Sequence, residues 1–177
     1  SGIDQVFVWR GDVALFLAII KYIEDIRNVA ADTRLAGTRT IILVENSVRF
    51  YSSYLPLIYT ELMKQTQRLM AEGINRVHKL QRMRARPKIL LAETFEEAEG
   101  LFRRFSENLL GVISDVRFPR NGRLDPGAGL EFTRRVKSAS PHMPVLLQSS
   151  DGSYAPAAHA LGAAFIHKKS RTLLHEL

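Results

Sequence analysis

Polar side chains follow several of the apolar runs in this 177-residue sequence, and their types suit one kind of chemistry. A carboxylate can attack phosphorus while a divalent cation on oxygen ligands neutralises the developing charge. A lysine and a hydroxyl can hold the remaining phosphoryl oxygens. The set therefore predicts metal-assisted phosphoryl transfer to an acidic side chain, and its members are Glu45, Asn46, Asp115, Ser149, Ser150 and Lys168.

Alternating strand and helix patterns must position these residues. Nearly continuous apolar strands separated by amphipathic helices are typical of a parallel sheet covered on both faces. Ligands of such open sheets gather outside the carboxyl ends of the strands, so the polar set is expected at one edge. Strands are predicted at 40–46, 87–93, 109–115, 143–150 and 163–168, with helices at 48 to about 84, 95–105, 129–139 and 154–162.

The same residues, in the same order, resemble the response-regulator receiver domain (CheY-like) of two-component phosphorelay signalling. The resemblance covers about residues 40–177 and is carried by IILVENS, GVISDVRFP, MPVLLQSSD and GAAFIHKKS. It implies an α/β, flavodoxin-like, doubly wound parallel sheet of five strands in the order 2-1-3-4-5. It also implies a regulatory phosphoprotein that is not an enzyme, since its chemistry is limited to its own phosphorylation.

The resemblance gives each matching residue a role. Asp115 would be the phosphoacceptor, Lys168 would pair with the phosphoryl group, and Ser149 would bond it in the active state. Phe165 falls where receivers place a switch aromatic, although plain core packing explains it equally well. Magnesium would be held by Glu45, Asn46, Asp115 and the backbone carbonyl of Arg117.

Asn46 departs from the family pattern, which usually has a second aspartate there. One negative charge is thus missing from a site for a hard cation, and weaker Mg²⁺ binding is expected. Two functions stay open. The chain either accepts a phosphoryl group from a histidine kinase or phosphotransfer protein, or is a degenerate pseudo-receiver that acts as a protein-interaction or dimerisation module. A haloacid-dehalogenase-like phosphatase is disfavoured, because it would need an acid where Arg117 stands.

Residues 1–39 are predicted to be the end of a preceding domain, with a short strand at 5–9, an amphipathic helix at 10–28 capped by Asp12, and a linker. Within 40–177 the first helix is extended by a helical insertion at about 65–88. A solvated basic face, a protein partner or self-association, and nucleic acid are the alternatives for that insertion. Nucleic acid is the least favoured, because no aromatic residue interleaves with the basic ones Arg68, Arg76, Lys79, Arg82 and Arg86.

Bulk properties limit the setting. The formal charge is +7, there is no cysteine, and neither a signal peptide nor a membrane span is indicated, so a cytoplasmic location is expected. Other domains of a longer chain and a homodimer are the expected partners beside the kinase. Residues 43–67 also resemble receiver-like regions fused to phosphoenolpyruvate-synthase or pyruvate-phosphate-dikinase-like proteins.

Overall fold

The structure, a computed structural model, describes residues 5–71 and 86–168. They belong to two compact units, one from the residues up to 39 together with 47–88, and one from 40–46 together with 89 onward. Most of the predicted basic insertion, including Arg76, Lys79 and Arg82, lies outside the described residues. The end of a preceding domain at residue 39 stays a prediction.

The first unit contains two long helices, α1 (Ala14–Ala36) and α2 (Val48–Ala71), which pack against each other. The additional N-terminal helix and the extended first helix of the prediction are therefore present. Helix α1 is longer than the predicted 10–28, because Ala, Arg and Leu in the expected linker favour helix and no Gly or Pro interrupts it. It ends at Gly37, whose φ of 60° suits glycine, and the Asp12 carboxylate accepts a hydrogen bond from Ala14 N.

The predicted strand at 5–9 is wrong, since these residues form no strand. Instead, side chains of α2 form hydrogen bonds with the backbone of this segment. Tyr51 Oη donates to Val6 O at 2.6 Å, and Val8 N donates to Ser52 Oγ at 3.0 Å. The ring of Phe7 packs edge-on against Tyr51. The apolar and aromatic residues that suggested a strand therefore pack against the helices and pair with no other strand.

The second unit is built on a five-stranded sheet in the order β2-β1-β3-β6-β7. Counted along the sheet's own strands this is 2-1-3-4-5, so the predicted flavodoxin-like α/β fold is confirmed. The registers of β1 with β3, β3 with β6 and β6 with β7 are all parallel. The strands are β1 (Thr40–Val44), β2 (Lys88–Ala92), β3 (Leu109–Asp115), β4 (Phe118–Arg120), β5 (Arg123–Asp125), β6 (Val145–Ser149) and β7 (Ala164–His167).

Three helices of this unit follow β2, the hairpin β4–β5 and β6: α3 (Phe95–Phe105), α4 (Ala128–Ala139) and α5 (Ala155–Ala160). Thr94 Oγ1 caps α3 by accepting from Glu97 N at 3.2 Å, as the sequence predicts. Helix α5 is shorter than predicted because a 3₁₀ turn precedes it and Gly162, with φ 70°, follows it. Within the described residues no helix is long and apolar enough to cross a membrane.

Strands β4 and β5 form a two-residue hairpin that the prediction missed. Its turn is Asn121-Gly122, with φ values of 51° and 72°. Asn-Gly between two short β-type runs is the strongest local signal for such a turn, because both central residues need positive φ. The segment after Asp115 is therefore an ordered ribbon, where the sequence analysis expected a loop.

Candidate functional site

The carboxyl ends of the central parallel strands gather the predicted polar set, and the strand register explains why. Val44 lies beside Ser114, so the next residues, Glu45 and Asp115, extend from neighbouring strands. Ser149 lies beside His167, which Lys168 follows directly. Four strands thus deliver their terminal side chains to one edge of the sheet.

Lys168 joins the two predicted acids. Its Nζ lies 2.6 Å from Glu45 Oε2 and 2.7 Å from Asp115 Oδ2. The Glu45 side chain is fully buried and that of Lys168 is 4% exposed, whereas that of Asp115 is 11% exposed. Two carboxylates and one ammonium leave one net negative charge, and Asp115 is its most accessible part.

The Asp115 carboxylate is held by both of its oxygens. Oδ2 faces Lys168, and Oδ1 accepts from the backbone N–H of Val116 at 2.7 Å. Val116 N also lies 3.1 Å from Gln148 O, which ties the chain just after Asp115 to strand β6. The carboxylate is therefore orientated before any ligand arrives.

Gly129 also helps to position Asp115, and it was not among the predicted site residues. A Cβ at this position would lie 2.2 Å from Asp115 O and 2.8 Å from the Val116 Cα. The Gly129 N–H donates to Val116 O at 2.9 Å. The first turn of α4 can approach the end of β3 this closely because glycine has no side chain.

Gln148 is a third residue that sequence reasoning missed. It is buried, lies in register with Asp115, and its Nε2 is 3.4 Å from Glu45 Oε2. The signal was present as a polar residue inside an otherwise apolar strand, next to the recognised Ser149. Gln148 and Lys168 thus approach the same oxygen of the buried Glu45.

The remaining predicted residues surround this contact. Ser149 is buried, and its Oγ accepts from Asp151 N at 3.1 Å, which leaves the hydroxyl proton able to donate. Asn46 and Phe165 are half-buried, and Arg117 is exposed. Direct side-chain contact is observed between Glu45, Asp115 and Lys168. Ser149 ends β6, Asn46 and Arg117 follow β1 and β3, and Phe165 lies within β7.

The loop after Ser149 carries a further charge. Hydrogen bonds from the side chain and backbone of Ser153 lower the pKa of Asp151, and the nearby guanidinium of Arg117 lowers it further. Asp151 is exposed, and its Oδ1 caps the 3₁₀ turn by accepting from Ser153 N. The loop is thus fixed with its carboxylate ionised.

The donors at the strand ends fit a hard divalent cation in kind, since they are carboxylate, amide and carbonyl oxygens. Among the described residues, however, no group of three or more His, Cys, Asp or Glu side chains is placed to hold a metal ion. The Lys168 ammonium already contacts both carboxylates. A cation would therefore share these oxygens with Lys168, in a site of low net negative charge.

Searches against protein-family models and curated proteins return no match. Solved structures do match. A two-component response regulator of the LuxR family from Aurantimonas is 19% identical, with a TM-score of 0.49, over 78% of this chain and 81% of its own. The N-terminal domain of an uncharacterized Wolinella succinogenes protein is 23% identical, with a TM-score of 0.49, over 74% and 81%. The response regulator TrrA of Thermotoga maritima, solved with Mg²⁺-BeF, is 18% identical, with a TM-score of 0.45, over 78% and 94%.

The observed strand order is the 2-1-3-4-5 order that the resemblance in the sequence implies. The comparisons give no support to a fusion with a phosphoenolpyruvate-synthase-like protein.

Proposed function

We propose that this chain is a phosphorelay receiver that accepts a phosphoryl group on Asp115 from a phosphohistidine of a histidine kinase or phosphotransfer protein. The observation that carries the proposal is the Lys168 ammonium, which lies 2.7 Å from Asp115 Oδ2 and 2.6 Å from Glu45. This arrangement orientates a partly exposed carboxylate at a strand end and places a cation where phosphoryl charge would develop.

Each residue of the site then has its own role in phosphoryl transfer. An Asp115 oxygen attacks phosphorus, the P–N bond to the donor histidine breaks, and the histidine leaves as neutral imidazole because its other ring nitrogen carries a proton. Lys168 stabilises the oxygens of the transferred group, as cationic side chains do in phosphoryl transfer. The Ser149 hydroxyl, at the neighbouring strand end, donates to one of them. Movement of Phe165 would report this contact to the surface.

Magnesium would be held by Glu45, Asn46, Asp115 and the Arg117 carbonyl, and would supply charge neutralisation on the phosphoryl oxygens. Because Asn46 contributes no charge and Lys168 contacts both acids, we infer that the chain binds this ion weakly. Glu45 would then act chiefly as the counter-charge of Lys168. We further propose that the chain acts in the cytoplasm, beside other domains of a longer protein.

The second candidate is a pseudo-receiver that works as a protein-interaction or dimerisation module without phosphorylation. Two observations favour it: an amide at position 46, and a fully buried Glu45 that is already engaged by Lys168 and Gln148. In this case the cluster holds the strand ends together and transfers nothing.

Incubation with a small phosphodonor and Mg²⁺, followed by intact-mass measurement, separates the two functions. A phosphorylated receiver gains the mass of one phosphoryl group, and the gain disappears in Asp115→Asn but persists in Asp125→Asn, a matched change in the hairpin. Phosphorylation that survives Asp115→Asn, or a wild-type chain whose mass never changes, would contradict the proposal.

A further inference from the structure

Helix α1 is apolar on two opposite sides, and one of these is uncovered. The side packed towards α2 buries Leu15, Ala18, Tyr22 and Val29. The opposite side is 37 to 75% exposed and forms the α1 stripe, defined as Val13, Phe16, Leu17, Ile20 and Ile23. A helix that is apolar all round is normally buried all round, so the stripe requires a cover.

The stripe has the spacing of a helix-pairing seam. Positions 13, 16, 20 and 23 alternate steps of three and four residues, the repeat with which two helices pack side by side. The ring of Trp9 packs against that of Phe16 at an interplanar angle of 34°, with ring centroids 4.9 Å apart, and extends the stripe beyond the helix. Helix α1 has 23 residues and is about 34 Å long, enough for several layers of side chains.

The charges of α1 favour a second copy over an acidic or lipid partner. The helix has no net charge although the chain carries +7. A membrane-surface helix would carry lysine and arginine opposite its apolar side, whereas α1 has a buried apolar side there. Its three basic and three acidic residues are Lys21, Arg27, Arg34, Glu24, Asp25 and Asp32.

We propose that the α1 stripe is a homodimer interface in which two copies of α1 pack antiparallel about Ile20. The ends of the stripe are complementary: Asp12 precedes it, and Arg27 follows it at the next seam position. An antiparallel pair places Asp12 of one copy near Arg27 of the other, whereas a parallel pair opposes Arg27 with Arg27. This interface is independent of Asp115 and stands or falls separately from phosphorylation.

Analytical ultracentrifugation from nanomolar to high micromolar concentration tests the interface. Ile20→Glu should weaken the dimer by at least about 30-fold, the effect of losing one central contact. Leu124→Glu is the matched control, because Leu124 is similarly exposed (57% against 62%) but lies in the hairpin. A monomeric wild-type chain, or equal effects of the two variants, would overturn the proposal, as would vesicle binding by a chain that stays monomeric.

The lack of native cysteine allows the orientation to be tested by disulfide trapping, because introduced thiols have no competitor. A mixture of Val13→Cys and Arg27→Cys chains should give the mixed disulfide in preference to either homodimeric one, with circular dichroism confirming that both variants are folded. Preferential formation of a disulfide between two Val13→Cys chains, or disulfide formation no faster than in a Leu124→Cys control, would refute the antiparallel pair.

Discussion

Each compact unit contains a cluster in which acidic and basic side chains are paired. The two clusters differ in how far their carboxylates are buried. In the helical unit, Asp25 is fully buried and receives Arg86 Nη2 at 2.6 Å, Arg86 Nη1 at 3.0 Å and the Tyr59 hydroxyl at 2.9 Å. Lys88 lies 3.5 Å from the same carboxylate. At the strand ends, by contrast, Asp115 keeps part of its carboxylate exposed.

The enclosed cluster has the properties of a structural element. Lys88 also lies 2.9 Å from the Asp32 carboxylate, so two cations face two acids, and both oxygens of Asp25 already accept hydrogen bonds. Burial raises the pKa of the Tyr59 hydroxyl, and the Asp25 carboxylate raises it further, so that Tyr59 stays a donor. Acidic and basic residues are thus paired and enclosed in the helical unit. At the carboxyl end of the parallel sheet similar residues stay partly accessible for reaction.

This contrast also corrects the sequence analysis. Arg86 was assigned to a basic face of the insertion but is buried and paired with Asp25. Its guanidinium also lies 5.6 Å from the centre of the Tyr59 ring. Its partner is 61 positions away in sequence, so no local pattern could reveal the pair.

The largest expected effect tests the enclosed cluster. Asp25→Asn leaves the buried Arg86 with only the more exposed Glu24 carboxylate, at 3.7 Å, and should lower the free energy of unfolding by about 3 kcal/mol. Asp115→Asn should cost less, about 1–2 kcal/mol: the amide has one acceptor oxygen for the two contacts of the carboxylate, but Lys168 retains Glu45. Urea unfolding of both variants measures the difference. Equal costs would break the distinction between a structural and a reactive cluster.

Gly129→Ala is expected to have the next largest effect. The new Cβ would meet backbone atoms of Asp115 and Val116, which cannot rotate away, so α4 or the end of β3 must move. We expect a loss of about 1–3 kcal/mol and a slower reaction at Asp115. Gly100→Ala is the control: no atom lies near its Cβ, and the change should be neutral or stabilise α3. Similar effects of the two changes would refute the positioning role of Gly129.

The alternation of strands and helices could be predicted because it follows from local patterns, whereas the strand order was implied by the resemblance to receiver domains. Apolar runs gave β3 its bounds, and Thr94 with Glu97 fixed the start of α3. Gly129 and Gln148 could not be found in this way, since their roles depend on which backbone or side chain the fold brings against them. The Asn121-Gly122 hairpin was readable in principle but was overlooked because Pro119 suggested a loop.

The apolar stripe of α1 shows a further limit of periodicity. The apolar repeat that predicts an amphipathic helix consists of Val13, Phe16, Ile19, Ile20, Ile23 and Ile26, yet five of these are exposed and Ile19 is half-buried. The buried side includes Ala18, Tyr22 and Asp25, which a hydrophobic pattern does not select. Periodicity identifies a helix, but the side that packs depends on the partner.

Asn46→Asp tests metal binding at the cluster of Glu45, Asp115 and Lys168. The change adds a carboxylate to the donor set, and a unit charge about 4 Å from a divalent cation in water is worth about 2 kcal/mol, so Mg²⁺ should bind about 30-fold more tightly. Calorimetric titration measures the affinity. Asn121→Asp adds the same charge in the exposed hairpin and should leave the affinity unchanged. No gain in Asn46→Asp would show that position 46 does not limit metal binding.

The smallest expected effect concerns an exposed ion pair in the sheet-containing unit. A hydrogen bond from Arg135 lowers the pKa of the Glu99 carboxyl, and Arg103 lowers it further. A carboxyl whose pKa is lower in the folded chain stabilises the fold above its unfolded pKa, and this contribution disappears as the pH falls through the folded pKa. Glu99→Gln should therefore lower Tm slightly at pH 7 and not at all in strong acid. A Tm difference independent of pH would show that the pair contributes through packing of its side chains and not through charge.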